Sequence, residues 1–591
     1  NSVIFVNPGV YNETQRSILS EGVSIVGRGI LSSIVSTYTH SDSFQASTIA
    51  LNSNTAGSNG NQNISKLKFD GSSMSAKSAI QVYHRSNVTV NNCIFSNFAE
   101  WAIKFRGNSD DVIYSENNII SNNIIFDCGG PNVSHGNICI GGQTNMHIHG
   151  NNVYQPQRSG FNQSGFPIKF SVPRVLRGLK IYNNVLELEQ GDEYDEWHFA
   201  IELFGIQGGC EIYNNRIKGT IDFSNYENEE GINDLGNYGY AVRIYDNIFG
   251  DTNNVNYESY GVVVERSVKN GFYVYNNHFR NIMTAIGMTN GSNQMAWQDI
   301  IIHNNIIENI GRTDTSGGGG IYIGRLSNSV EQHITNVRIL NNVIYDNSTT
   351  SPTFGIQFAG GTLSTLDDVI IANNIIKGFR AGYAAGIMFR NVNGINVTIT
   401  NNDIHDCDYR LNPYMSNSTI SNLILTNNIE SDPLFVSTSD FHLQSTSPCI
   451  NAGCLINIIP RNDYEGNAVY AGSAPDIGAY ETNSNNVYYL SPTGSDQLGT
   501  GAEGNPWFTI ERAWSELVAG DIVYMRGGTY YYNKTQNLRA VSGTSDNYTR
   551  LWNYPDERPI IRPAVGWVYD GWYYGIYFQN LSSIHVLGLD V

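Results

Sequence analysis

Charge is scarce in this chain, and positive charge is scarcest: charged residues make up 15% of it, and 34 Lys and Arg face 53 Asp and Glu for a formal net charge of -19. That balance argues against nucleic acid or an anionic membrane surface as a partner, because both are bound by basic footprints. A polyanionic ligand would need a locally basic groove. No apolar stretch is long enough to span a bilayer, so membrane insertion is not expected. The chain opens at Asn1 without Met or a signal-like segment, which is read as processing or truncation upstream. Cysteine is also scarce. Seven is an odd number for a fully paired secreted protein; Cys449 with Cys454, and Cys128 with Cys139, are near enough in sequence to staple loops, while Cys93, Cys210 and Cys407 read as buried.

What is abundant is Gly (59), Tyr (36) and a repeated Asn-Asn pair set among aliphatics. Copies are Val90-Asn91-Asn92-Cys93-Ile94, Ile181-Tyr182-Asn183-Asn184-Val185, Ile212-Tyr213-Asn214-Asn215, Val274-Tyr275-Asn276-Asn277, Ile302-His303-Asn304-Asn305, Leu340-Asn341-Asn342, Ile371-Ala372-Asn373-Asn374 and Ile399-Thr400-Asn401-Asn402. A period of roughly thirty residues, with strand-like alternation inside each unit, is the mark of a solenoid whose units bury their apolar faces only by stacking on neighbours. Runs such as Leu179-Lys180-Ile181-Tyr182 and Val337-Arg338-Ile339-Leu340 alternate with period two between Gly, Asn and Asp, so they are strands. The expected fold is all-β: a parallel β-helix solenoid. Turn Asn residues of successive rungs are expected to hydrogen-bond along the axis as amide ladders, a structural role. The Asn-X-Ser/Thr sequons at Asn12, Asn87 and Asn396 carry no weight in so Asn-rich a chain.

The style of the sequence changes near residue 485. Asp432-Pro433-Leu434-Phe435, Asp440-Phe441-His442-Leu443 and Asp476-Ile477-Gly478-Ala479-Tyr480-Glu481 resemble the closing strands of secreted bacterial right-handed parallel β-helix proteins of the pectate-lyase-like superfamily. Val487-Tyr488-Tyr489-Leu490-Ser491-Pro492-Thr493-Gly494-Ser495-Asp496, Asn505-Pro506-Trp507 and Gly520-Asp521-Ile522-Val523-Tyr524 resemble the opening of the same family. Between them Thr509 to Val518 has helical spacing, with Thr509 as N-cap of a short helix covering the first rung. Residues 2–11 line up with 521–530. The expected organisation is therefore a β-helix over 1–485 lacking its N-terminal cap, then the cap and first rungs of a second β-helix over 486–591. The whole is read as a tandem segment of a longer extracellular or cell-surface protein with neighbouring domains.

Aligning strands by a small-aliphatic-x-aliphatic start groups Ala102-Ile103-Lys104-Phe105, Pro167-Ile168-Lys169-Phe170, Ala200-Ile201-Glu202-Leu203, Ala241-Val242-Arg243-Ile244, Gly320-Ile321-Tyr322-Ile323, Gly355-Ile356-Gln357-Phe358 and Gly386-Ile387-Met388-Phe389. This register sends Lys169, Glu202 and Arg243 outward on consecutive rungs. Thr220-Ile221-Asp222-Phe223 fits the pattern but follows its Asn pair closely, which leaves Asp222 two places, in the column or on a neighbouring face. Two charged insertions flank the column, 187–198 around Tyr194 and Trp197 and a second over 226–237, and aromatics beside carboxylates suit a sugar. Glu202 and Asp222 are the candidate carboxylates of a glycoside hydrolase. Lys169, Arg243, Arg174 and His198 are the candidate base and neutralising cations of a polysaccharide lyase. Against this stands the plainer reading, that outward charges on a solenoid form a solvated, self-neutralised face.

The acidic insertion has enough oxygens for Ca2+ but lacks the D-x-[DN]-x-[DN]-G spacing of an EF-hand loop, and no other cofactor is implied. His147 and His149 share a strand face without a third ligand and read as surface histidines. The functional expectation is an extracellular structural or adhesive β-helix with glycan-binding grooves, its partner a polysaccharide or cell-surface glycan. The alternatives are a lyase or hydrolase on the same face, and a trimeric viral receptor-binding spike.

Overall fold

The computed structural model describes the chain except for residues 1, 130–135, 157–165, 190–197, 207, 224–240, 251–259, 266–270, 289–294, 311–317, 326–330, 348–353, 362, 381, 383, 412–417, 457–461, 468, 470–473, 483–485, 544–547, 556 and 567–574. Its strands form three long parallel sheets of 15, 14 and 14 strands, called A, B and C here. Each turn of chain adds one strand to each sheet, as in Lys180–Tyr182 to sheet A, Val185–Leu188 to sheet B and Phe199–Leu203 to sheet C. This is a right-handed parallel β-helix.

Many strands are only two to five residues long, and each places one or two side chains in the lumen. In sheet A the centre of each three-residue motif, Ile181, Ile212, Ile244, Val274 or Ile302, is fully buried, and the residues on either side of it face outward. Neighbouring rungs place like on like, so the core is continuous along the axis.

In the Asn pairs from Asn183-Asn184 onward the two members do different work; at Asn91-Asn92 the register is one residue later, with Asn92 in the turn at φ 52° and Cys93 in the inward position. Asn183, Asn214, Asn276, Asn304 and Asn341 take the left-handed backbone that turns the chain from sheet A to sheet B, with φ between 51 and 55°. The second members point inward and join end to end: Asn123, Asn151, Asn184, Asn215, Asn247, Asn277, Asn305 and Asn342 form an uninterrupted chain in which each amide donates to the next side-chain oxygen at 2.9–3.1 Å. Each also serves the backbone, as Asn215 donates to the Ile181 and Tyr213 carbonyls. The same motif links Asn374, Asn402 and Asn428. The ladder expected from the sequence is present.

Two copies were hidden. In the first, Gly150 takes the left-handed turn at φ 66° and Asn151 joins the ladder. In the second, Asp246-Asn247 occupies the pair position, because the first site requires only left-handed backbone, which Asp246 adopts at φ 54°, whereas the ladder site requires an amide.

All seven cysteines are free. Cys128 lies in the lumen while Cys139 lies on the outer face of sheet C, so the expected staple between them does not form. Cys449 instead contacts the Asp403 carboxylate at 3.2 Å, and Cys454 meets Asn373 through its backbone, so that second staple is absent as well.

The chain divides into two compact units, one holding residues 1–371, 376–399 and 404–425 and the other 372–375, 400–403 and 426–591. In the second, strands Val487–Leu490, Ile522–Met525, Thr549–Asn553 and Ile584–Leu587 make a parallel sheet, with two-stranded parallel sheets from Gly528–Tyr532 with Pro559–Pro563 and Gln536–Leu538 with Ile576–Phe578. The helix is shorter than its sequence window, Ile510–Trp514, and Thr509 caps it by accepting from the Arg512 amide. Trp507, Ile510, Trp514, Tyr530, Tyr532 and Leu551 build the core beneath it.

Candidate functional site

The outer face of sheet C carries an in-register column of polar side chains. Gln81, Lys104, Cys139, Lys169, Glu202 and Asp222 follow one another on successive strands. Their inward neighbours, Ile103, Ile138, Ile168, Ile201 and Ile221, are fully buried and fix the register. In-register partners on adjacent strands are separated by the strand spacing of about 4.8 Å.

Asp222 therefore stands directly beside Glu202, on the same face. Between Asp222 and its Asn pair lies Gly219, whose φ of +123° disfavours any other residue and where a Cβ would come within 3.0 Å of the His198 carbonyl oxygen and the Ala200 Cβ. Arg243 is not in the column. It belongs to sheet A between Glu211 and Tyr273, because Ala241-Val242-Arg243-Ile244 leads straight into the Asp246-Asn247 turn and is the strand before the ladder residue. Arg174 sits over the rings of Phe170 and Phe204 at 5.1 and 5.3 Å, beside the column. His198 is buried where the chain enters the Glu202 strand, and its carbonyl accepts from the Thr220 amide. Tyr194 and Trp197, and the insertion over 226–237, lie outside the described residues.

The column is not a solvated face. Lys169, Glu202 and Asp222 are 5, 9 and 0% exposed. Lys169 forms an ion pair with Glu202 and packs against the rings of Phe166 at 4.2 Å and Phe170 at 5.0 Å. Burial raises the Glu202 pKa, opposed by Lys169 and Arg174 and reinforced by Glu265. Two rungs earlier, Lys104 lies 3.6 Å from the centroid of the Trp101 ring, and its pKa is lowered by burial to about 8. Between them the Cys139 thiol is pushed up by burial, opposed by Lys104 and Lys169. Lys104 and Cys139 were not among the expected site residues, although Lys104 stood in the same alignment. Among the described residues no group of three or more His, Cys, Asp and Glu side chains could hold a metal ion, and no helix is long and apolar enough to cross a membrane.

No protein-family model matches the chain. Over 159 residues, 26% of the chain, it is 30% identical to pectate lyase L of Dickeya dadantii (strain 3937). What the chain itself shows is the right-handed parallel β-helix fold. The matched segment covers 35% of that relative, so this β-helix spans about a third of it. Among solved structures it is similar to the PL6 family alginate lyase AlyGC, with 14% identity, a TM-score of 0.38, and coverage of 99% of this chain and 68% of that one. It is also similar to PfbA, a surface adhesin of Streptococcus pneumoniae, with 12% identity, a TM-score of 0.30, and coverage of 69% and 83%.

Proposed function

We propose that this chain is an extracellular, glycan-engaging β-helix of a larger surface or secreted protein, and that it meets its polysaccharide at the sheet C column. One observation carries the reading: a lysine, a glutamate and an aspartate are withdrawn from water on consecutive rungs of an outer face, where exposed polar side chains would have served folding equally well. Burying ionisable groups is unfavourable unless they are paired, and such clusters are found preferentially at functional sites. Aromatic rings and Arg174 beside the column supply the apolar and charged contacts that sugars use. The 30% identity to a pectate lyase supports a polysaccharide as ligand.

A second reading, cleavage, is favoured by Glu202 and Asp222. Burial makes Glu202 hold its proton more strongly, as a general acid must, and Asp222 is its in-register neighbour. Lys169 and Arg174 fit the base and the neutralising cation of a lyase instead.

The test is incubation of the full chain with neutral and uronate polysaccharides, following unsaturated-product absorbance, new reducing ends and retardation in polysaccharide-containing gels. Absorbance lost in Lys169→Met assigns a lyase, and reducing ends lost in Glu202→Gln or Asp222→Asn assign a hydrolase. Retardation without either product, weakened by those variants, supports binding alone. No retardation and no product with any polymer would remove the sheet C site.

A further inference from the structure

Sheet A presents an outer face of a different character. Its in-register outward positions on six successive strands are all aromatic: His149, Tyr182, Tyr213, Tyr245, Tyr275 and His303. Their rings stack with centroids 4.7–5.0 Å apart and planes within 13° of parallel. The four tyrosines are partly exposed. Because the rings cover one another, the ladder offers solvent a row of ring edges and phenol groups at the rung spacing. Among the described residues the hydroxyls of Tyr182, Tyr213 and Tyr245 make no hydrogen bond to protein. Burial raises the pKa of Tyr213 and Tyr245, so both stay protonated and able to donate.

Alongside runs a second outward column, two residues earlier in the same strands: His147, Lys180, Glu211, Arg243 and Tyr273. Lys180 and Glu211 neutralise each other at 2.8 Å. Arg243 makes no ion pair among the described residues, and its guanidinium stands 5.6 Å from the Tyr273 ring centroid. The strip thus combines hydroxyls recurring at one translation with a single uncompensated cation, in a chain of net charge -19.

We propose that this strip is a second polysaccharide-binding surface, in which an acidic glycan lies along the axis, placing a carboxylate at Arg243 and its hydroxyls against Tyr182, Tyr213 and Tyr245. A polymer with its own regular repeat matches a surface that repeats; a planar guanidinium suits a carboxylate, and phenols suit sugar hydroxyls. One unpaired cation is too few for nucleic acid. The strip shares only its ligand class with the sheet C reading and stands on separate residues.

The experiment is affinity electrophoresis of the full chain in gels containing polygalacturonate, alginate or neutral dextran. The variants are Arg243→Gln, the triple change Tyr182→Phe/Tyr213→Phe/Tyr245→Phe, which keeps the stacked rings, and Glu202→Gln on sheet C. Arg243→Gln and the triple variant are each expected to weaken retardation by an acidic polymer about tenfold. Thermal midpoints of the two sheet A variants should stay unchanged, and Arg243→Gln should leave any retardation by dextran alone. Wild-type retardation by acidic polymers in both sheet A variants overturns the proposal, as does a wild type that no acidic polymer retards. Loss in Glu202→Gln with none in the sheet A variants leaves sheet C standing and sheet A refuted. The reverse pattern refutes sheet C and supports the strip.

Discussion

The Asn215 side-chain oxygen accepts two hydrogen bonds from Asn184, one from its backbone amide at 3.0 Å and one from its side-chain amide at 2.9 Å. Asn215 in turn donates to the Ile181 and Tyr213 carbonyls and to Asn247. Replacing it by Ala orphans buried donors and acceptors on three rungs, each worth about 1–3 kcal/mol. Asn215→Ala is expected to destabilise the first unit by about 3 kcal/mol or more, read as a shift in the urea midpoint. Asn214→Asp, at the turn position, should be nearly neutral because Asp246 already fills that role one rung later. Equal effects at the two positions would refute the division of labour.

Lys169 and Glu202 form a buried pair whose separation is expected to be worse than its removal. Lys169→Met alone leaves a buried carboxylate and should lower stability by about 3–5 kcal/mol, whereas Lys169→Met/Glu202→Gln should recover most of it. A double-mutant cycle by chemical denaturation checks this. Additive losses would mean that the two side chains do not interact.

Lys104 gives a pH dependence with a definite sign. Its pKa falls from 10.5 to about 8 on folding. Between those values the unfolded chain holds a proton that the folded chain has released, so stability rises with pH across that window. The urea midpoint of the wild type relative to Lys104→Met should climb from pH 8 to pH 10. A flat difference would mean that Lys104 keeps its charge when folded.

Glu481 carries the opposite slope. Burial among Asp476 and Asp463 raises its pKa well above the ordinary carboxylate value. The folded state therefore keeps a proton that the unfolded state loses, and its contribution is full below about pH 4.5 and fades as pH rises. Relative to Glu481→Gln, the wild-type second unit should lose stability as pH climbs from 4 toward neutrality, as followed by tryptophan fluorescence.

The thiols should be slow to react. Cys93 is held at a pKa of about 12, and Cys407 and Cys454 at about 11, all by burial. Mass spectrometry after iodoacetamide treatment should find little alkylation of the native chain at pH 8 and seven adducts after unfolding without reductant. Fewer than seven would reveal a disulfide.

The fold was legible because the ladder demands a particular side chain. From Asn123 to Asn342 the inward site is filled by Asn, which supplies donor and acceptor together, so each of those rungs stamps the sequence visibly. The turn site next to it demands only a backbone angle, and where Asp246 replaced Asn the stamp faded. Arg243 was consequently assigned to the wrong sheet, while the short spacing from Asn215 left the place of Asp222 open. The burial of Lys169 and Glu202 was not legible either, since period-two alternation reports which side a residue faces and not whether that side meets water. The tyrosine ladder was written in Ile-Tyr-Asn-Asn, yet only the register shows that those rings touch.

The asparagine chain joins residues 28 apart at Asn123 and Asn151 but 37 apart at Asn305 and Asn342, with the same bond at both places. Sequence between ladder points can thus lengthen or shorten without disturbing the spine. A whole coil can be duplicated or deleted in frame, since each hands its successor the same connector it received. Selection on ligand choice can then act on the intervening segments almost independently of selection on folding, which makes the architecture a chassis for inheritable variation.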